Sequence, residues 1–192
     1  MTTRHPSPAI LPVIAERWSP RAYDGSAVPQ ADLEVILEAA GLVPSAFNYQ
    51  PWTFLYAHKG DANWDAFLSY LLPFNQGWAS HAGVLVYVVS EKDQVQGDKV
   101  SPSYSHTLDA GAAWGFASLQ AKALGYDTHG ATGIELPKAL EGLGIPDTHR
   151  LELAFVIGKR GDKAILPEAL QAREAPGVRK PVGQIARAGA FA

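Results

Sequence analysis

The chain has 192 residues, 16 Lys and Arg against 19 Asp and Glu, 47% hydrophobic residues and no cysteine. These figures exclude a disordered or fibrous chain, disulfides, thiolate metal sites, iron–sulfur clusters and a cysteine nucleophile. The net charge of −3 argues against a general nucleic-acid or membrane-surface binder, and the length suits one domain spanning 1–192.

For a mass of 20.6 kDa the folded surface is expected at about 8,900 Å², with about 70% of the unfolded surface buried. Pro6, Pro8 and Pro12 interrupt the opening stretch, so no targeting segment is expected. The longest apolar run, Val84 to Val89, is far short of the roughly 20 residues of a spanning helix. These readings predict a soluble cytoplasmic protein without a membrane partner.

Taken in chain order, Ser7-Pro8 caps and opens a helix to about Glu16, with Ile10, Val13 and Ile14 on one face. In Arg17-Trp18-Ser19-Pro20-Arg21, Pro20 fixes its own φ and disfavours helix at Ser19, so the segment is extended. Arg17, Ser19 and Arg21 then form a row on one side, suited to an oxyanion such as phosphate, or solvated on a surface loop. Pro29 opens a helix whose Leu33, Ile36, Leu37 and Ala40 follow the helical stripe, and Gly41 closes it.

Pro44 to Trp52 (PSAFNYQPW) carries hydroxyl and amide groups and no charge. It suits the edge of a neutral heterocycle, or is a proline-bracketed turn. Trp52 to Ala57 reads as a strand, Asp65 to Leu72 as a helix, and Val84 to Val89 as a strand covered on both faces. Glu91 to Ser103 reads as a loop. Leu108 to Leu124 is a long helix of small residues that another helix, in the same chain or a partner, can approach closely. Leu136 to Leu143 is a short helix and Leu151 to Ile157 a strand closed by Gly158.

From Lys159 to Arg187 seven bases meet three acids among Pro167, Pro176 and Pro181. The segment 159–192 reads as an extended arm, with a solvated tail as the other reading. The pattern as a whole is α+β, a small sheet among helices. There is no G-x-S-x-G, G-x-x-x-x-G-K-[ST] or G-x-G-x-x-G motif. The six histidines are scattered, so no zinc site is expected. His106 and Asp109 share a helix face, most simply as a polar pair at a helix start.

R-x-S-x-R-x-[FY], then an amphipathic helix, then P-S-x-x-N-x-Q-P-W leading into a strand, resembles the nitroreductase family of FMN-dependent oxidoreductases. Asn75-Gln76-x-Trp78-Ala79, the small-residue helix, Gly130-Ala131-Thr132-Gly133-Ile134-Glu135, and Arg179-Lys180-Pro181 are similar to further family segments. The resemblance covers roughly Glu16 to Ile185. It implies an α+β nitroreductase-like fold, with a small central antiparallel sheet flanked by helices. It also implies an intertwined homodimer with FMN at the subunit interface and a C-terminal arm, about 159–192, clasping the partner.

The resemblance assigns cofactor-binding residues by position. Arg17 and Ser19, with Trp18 between them, hold the phosphate and ribityl chain. Arg21 lies near the pyrimidine end, and Asn75 bonds the pyrimidine edge. Pro44, Ser45, Asn48 and Gln50 line the flavin from the other subunit. Thr132 and Gly133 lie against its central ring. Arg179, with Lys180, closes on the phosphate, and Arg173 competes for that role. Trp78 stands where some members carry a basic residue, and Thr132 where some carry an acidic one.

No side chain is expected to be a catalytic nucleophile or base. The resemblance implies that hydride from NADH or NADPH passes through flavin N5 to an electron-poor small molecule such as a nitroaromatic or quinone, with ping-pong kinetics. Oxygen-dependent, dehalogenating or dehydrogenating chemistry, and non-catalytic FMN binding, are the alternatives. Phe74, Trp78 and Tyr104 line the acceptor pocket or are core and loop packing. The chain is slightly short for the family, so no large substrate lid is expected.

Overall fold

The computed structural model describes residues 7–191; Met1 to Pro6, which open the segment read above as lacking a targeting signal, and Ala192 lie outside it. Four strands form one antiparallel sheet in the order β1 (Trp52–His58), β2 (Val84–Glu91), β6 (His149–Gly158) and β5 (Asp127–Ala131). The strand β2 is apolar without alternation because both its faces are covered. Leu85, Tyr87 and Val89 enter one layer of core, and Val84, Val86 and Val88 the other.

The first layer is filled by α3 (Trp64–Ser69), α4 (Pro73–Ala79) and α6 (Leu136–Gly142), through Trp64, Phe67, Trp78 and Ala139. The second is filled by α2 (Gln30–Gly41) and α5 (His106–Ala123). Leu33, Ile36 and Ala40 of α2 meet Ala110, Ala113, Ala117 and Ala121 of α5 there. The alanine stripe keeps α5 close to the sheet on its inner face. Its outer face carries Leu108 and Phe116 into solvent.

Several expectations need correction. The first helix, α1 (Pro12–Glu16), starts at its proline and not at Ser7. Ser7 instead accepts the Ile10 amide in a separate turn at 3.0 Å. The helix expected to reach Leu72 stops at Ser69, because Leu71 pairs in a β-bridge with Ile134. The loop expected from Glu91 to Ser103 contains a hairpin, β3 (Asp93–Gln96) with β4 (Lys99–Pro102). Its two-residue turn has Gly97 at φ 59°, a position that hairpin turns reserve for residues tolerating positive φ. Strand β5, not foreseen, closes the sheet edge beside β6.

Part of the expected arm belongs to the core. Leu166 and Leu170, the latter on α7 (Glu168–Gln171), are buried against the first layer. From Ala175 to Phe191 every residue is exposed, including the short α8 (Val182–Ile185). The chain's accessible surface is 11,200 Å², well above the expectation of about 8,900 Å² for a compact monomer of this mass. No helix among the described residues is long and apolar enough to cross a membrane.

Candidate functional site

The chain becomes extended where α1 ends, with Arg17 at φ −64° and ψ 126°. Arg17 and Ser19 lie two residues apart on one side, and Arg17 Nη1 donates to Ser19 Oγ at 3.3 Å. Both line a groove of about 590 Å³ that runs over the outer face of α5, past Ala112, Trp114, Gly115 and Ser118. Arg179 reaches the same groove, and Arg173 does not line it. The Arg179 guanidinium rests on its own backbone, with Nη1 donating to Val178 O at 3.0 Å. Lys180 beside it is exposed. Two polar atoms of the groove residues, Trp114 Nε1 and Ser118 Oγ, are buried without a hydrogen-bond partner among the described residues.

Trp18 is not in the groove lining. It is buried, and the Arg160 guanidinium covers its ring at 4.9 Å. That guanidinium forks onto buried Asp127 through Nε at 3.0 Å and Nη2 at 2.9 Å, and Asp127 also takes Lys122 at 3.2 Å. With Trp18 clamped from behind, alternation turns Arg17 and Ser19 outward.

The expected row of three breaks at Arg21, which does not line the groove with the other two. The amides of Arg21 and Ala22 both donate to Glu174 Oε1, at 2.6 and 2.9 Å. Arg21 Nε is buried and unpartnered among the described residues. Burial pulls the Arg21 pKa below its ordinary value, and Arg173 adds to this while Glu174 opposes it.

A second cluster forms where α4 meets the end of β5. Trp78 Nε1 donates to Asn75 Oδ1 at 3.3 Å, and Asn75 Nδ2 donates to Gly133 O at 3.0 Å. The Leu72 amide donates to the same carbonyl at 3.0 Å. A side chain at position 133 would meet the Asn75 amide nitrogen, which would have to shift and give up its bond to Gly133 O. Thr132 stands exposed at the tip of the loop. Of the expected pocket aromatics, Trp78 is core, whereas Phe74 and Tyr104 are exposed.

Sequence reasoning missed His129, which ties the two clusters together. Its ring packs on Trp78 with centroids 4.5 Å apart, and its Nδ1–H donates to Pro20 O at 2.9 Å. Burial pushes its pKa below the ordinary histidine value; Arg21 adds to this, and the bond to Pro20 opposes it. A histidine whose folded pKa lies below its unfolded value stabilises the fold fully above the unfolded pKa of about 6.5, and that stability is lost as pH falls toward the folded value. Thermal unfolding followed from pH 7.5 to 5 should therefore show a falling Tm. The fall should be shallower in His129→Gln, by at most about 1.4 kcal/mol per pH unit. An equal slope in both proteins would remove His129 as a source.

The third group, Ser45, Asn48 and Gln50, lies elsewhere, beside the N-terminal turn of α5. Phe47, Asn48 and Gln50 have φ of 51°, 59° and 51°. Each is a left-handed conformation that costs about 1–3 kcal/mol in a non-glycine residue. Ser45 Oγ accepts the Gln50 amide at 3.0 Å, Gln50 Nε2 donates to Asn48 O at 3.2 Å, and Asp109 Oδ2 accepts the Ala46 amide at 3.2 Å. His106 and Asp109 do not act as a pair: His106 Nδ1 meets Ser90 Oγ at 2.7 Å. In one chain the loop meets α5 at Asp109, and none of Pro44, Ser45, Asn48 and Gln50 lines the groove, whose α5 lining starts at Ala112. Among the described residues no group of three or more His, Asp or Glu is placed to hold a metal.

A family model described as the nitroreductase family matches residues 14–72. A solved structure described as an oxidoreductase containing FMN is 42% identical to this chain, covering 100% of it and 99% of that protein, with a TM-score of 0.95. Two proteins assigned as nitroreductases and solved in complex with FMN share the fold. The one from Desulfovibrio desulfuricans is 23% identical, covers 96% of this chain and 100% of its own, and has a TM-score of 0.75. The one from Exiguobacterium sibiricum is 23% identical, covers 96% and 99%, and has a TM-score of 0.75. A comparison with curated proteins found no match. The full-length similarity at 42% identity, with the motifs at Arg17–Arg21 and Pro44–Trp52 in place, identifies the chain as a member of the nitroreductase family.

Proposed function

We propose that the protein is an FMN-dependent NAD(P)H oxidoreductase acting on electron-poor small molecules such as nitroaromatics or quinones. The observation that carries this reading is the groove on α5. It brings together two guanidiniums, of Arg17 and Arg179, and the Ser19 hydroxyl around a space of about 590 Å³. That is inside the roughly 300–1,000 Å³ range of small-ligand sites, and the donor set suits a dianionic phosphate with a hydroxylated chain.

In this reading Arg17, Ser19 and Arg179 hold the phosphate end, and Lys180 adds charge near it. Trp18, clamped by Arg160, supports the pair on either side of it and does not touch the cofactor. Arg21, with an unpaired buried Nε, supplies the cation near the pyrimidine end. Asn75 holds the Thr132–Gly133 loop in place while keeping one amide hydrogen for the ring edge. When bound, FMN supplies hydride acceptance and donation at N5. No protein nucleophile or metal is assigned, and the chain binds, orients and tunes.

Pro44, Ser45, Asn48 and Gln50 are proposed to complete the site from a second subunit, since in their own chain they lie apart from the groove. Three features support a homodimer of single-domain chains. The surface is larger than a compact monomer's, the outer face of α5 exposes apolar side chains, and Val182, Ile185 and Phe191 on the C-terminal segment are exposed. A cytoplasmic location is part of the same proposal.

The test is steady-state oxidation of NADH and NADPH by FMN-loaded protein with a nitroaromatic and a quinone. Parallel double-reciprocal lines with at least one donor and acceptor are expected. Absence of NAD(P)H oxidation with every acceptor would overturn the reductase reading and leave flavin binding without turnover.

A further inference from the structure

We infer that Asp109 is a positioning residue that holds the Ser45–Gln50 loop in its strained, ligand-ready shape. The inference deepens the proposed function and rests on it, because the ligand that the loop faces is taken to be FMN.

Three of the four residues from Phe47 to Gln50 sit at positive φ without being glycine. Such a conformation persists only where its surroundings over-determine it. Inside the loop, Ser45 O accepts the Asn48 amide at 3.0 Å and Ala46 O accepts the Tyr49 amide at 3.1 Å, closing two tight turns. These bonds travel with the loop and cannot anchor it to the body of the protein. One buried side chain of the fold does so at the loop's start. Asp109 lies 63 residues away in sequence, and its Oδ2 accepts both the Ala46 amide at 3.2 Å and the Ser105 hydroxyl at 2.9 Å. The far end is fixed separately, where Pro51 O accepts the Glu91 amide at 2.9 Å.

The placement of Asp109 explains why a charge is tolerated there. It occupies the first turn of α5, where the helix dipole favours a carboxylate. Ser105 shares its oxygen, and the Ala46 amide neutralises the part facing the loop. A neutral residue that merely filled space would leave the Ala46 amide unpaired and would give the loop no reason to choose left-handed backbone over its ordinary alternatives. The Phe47 side chain is exposed, so its packing does not hold the backbone where it is. The strain therefore serves to aim Ser45, Asn48 and Gln50; Asp109 holds the start of the loop, while Pro51 O and the Tyr49 hydroxyl, which donates to Val95 O at 3.5 Å, hold its far end.

The experiment uses full-length protein carrying Asp109→Ala, Asp109→Asn, Phe47→Gly or Asp109→Ala with Phe47→Gly. It reads the FMN dissociation constant by flavin fluorescence and amide exchange of 44–51 in ligand-free protein. Asp109→Ala is expected to raise the FMN Kd about tenfold or more and to speed exchange across 44–51 by a similar factor, while β2 and β6 keep their protection. Asp109→Asn, which retains an acceptor oxygen, should fall between this variant and the parent. Phe47→Gly, which relieves the left-handed strain, should restore part of the affinity lost by Asp109→Ala.

A well-folded Asp109→Ala protein with a Kd within about twofold of the parent and unchanged exchange would overturn the inference, since the lost hydrogen bond would then hold nothing. Exchange that rises equally in β2 and β6 would also overturn it, by showing a purely structural role. If Asp109→Ala does not fold, Asp109→Asn decides by the same two readouts. A parent protein that binds no FMN would instead defeat the cofactor reading, and the exchange arm would still judge the clamp.

Discussion

Arg17→Ala is expected to weaken FMN binding by about 1.5–3 kcal/mol, roughly 10- to 150-fold in Kd, with little change in thermal stability. The size follows from the chemistry of the pair. Arg17 is the guanidinium already hydrogen-bonded to Ser19 Oγ at 3.3 Å within the groove. A fork of donors to a phosphate is a charge-assisted contact that an alanine cannot replace. Stability should hold because Arg17 is only partly buried and caps a five-residue helix that buries no side chain. Arg17→Lys should recover part of the affinity through charge alone, since an ammonium lacks the planar fork. Isothermal titration of the ligand-free parent, Ala and Lys proteins with FMN measures the affinities, and their thermal unfolding measures stability. An Ala variant that binds as the parent does would remove Arg17 from the site.

Removal of the C-terminal segment has two distinct expected outcomes, depending on the cut. A stop after Ala175 removes, among the described residues, only exposed ones, including Arg179, Val182 and Ile185. The folded subunit should survive, with weakened dimerisation and FMN affinity lowered by about tenfold or more for the lost Arg179 contact. A stop before Leu166 also removes Leu166, Leu170 and the Glu174 carboxylate that caps the Arg21 and Ala22 amides. Losing two buried leucines at about 2–5 kcal/mol each is enough to unfold a domain of ordinary stability. Sedimentation and flavin content of both truncated proteins test the distinction. A chain ending at Ala175 that stays a flavin-loaded dimer would sink the clasp proposal.

Much of the scaffold was legible in local pattern. The stripe of Leu33, Ile36, Leu37 and Ala40 after Pro29 gives α2 to within one residue at its start. The unbroken run from Val84 gives a strand covered on both faces, as β2 is. What escaped the reading depends on partners distant in sequence. Strand β5 is Asp127-Thr128-His129-Gly130-Ala131, a poor strand by composition. It exists because β6 offers an edge and because Gly130 lets the Trp114 ring approach to 2.6 Å of where a side chain would begin. The hairpin Asp93–Pro102 is polar on both strands and carries no core face to announce itself. The helix from Asp65 ended early because Ile134 claimed Leu71 for a bridge.

The candidate site divides in the same way. Arg17 and Ser19 were legible because Pro20 forces an extended backbone, and extension alone puts them on one side. Arg21 could not be placed by the same alternation, because Glu174, 153 residues away, captures its amide. His129 carried no signal at all as a lone histidine in a glycine-rich stretch. Only the fold shows that it joins Trp78 to Pro20. Asp109 gave half a signal: its spacing from His106 was visible, but its partner, the amide of Ala46, was not.

The most direct test of the central claim is the visible spectrum of freshly purified protein, followed by anaerobic addition of NADH and then NADPH. The account predicts yellow protein with flavin absorbance that bleaches on addition of at least one donor. Colourless protein that also fails to take up added FMN would contradict the cofactor assignment and the roles given to Arg17, Ser19 and Arg179.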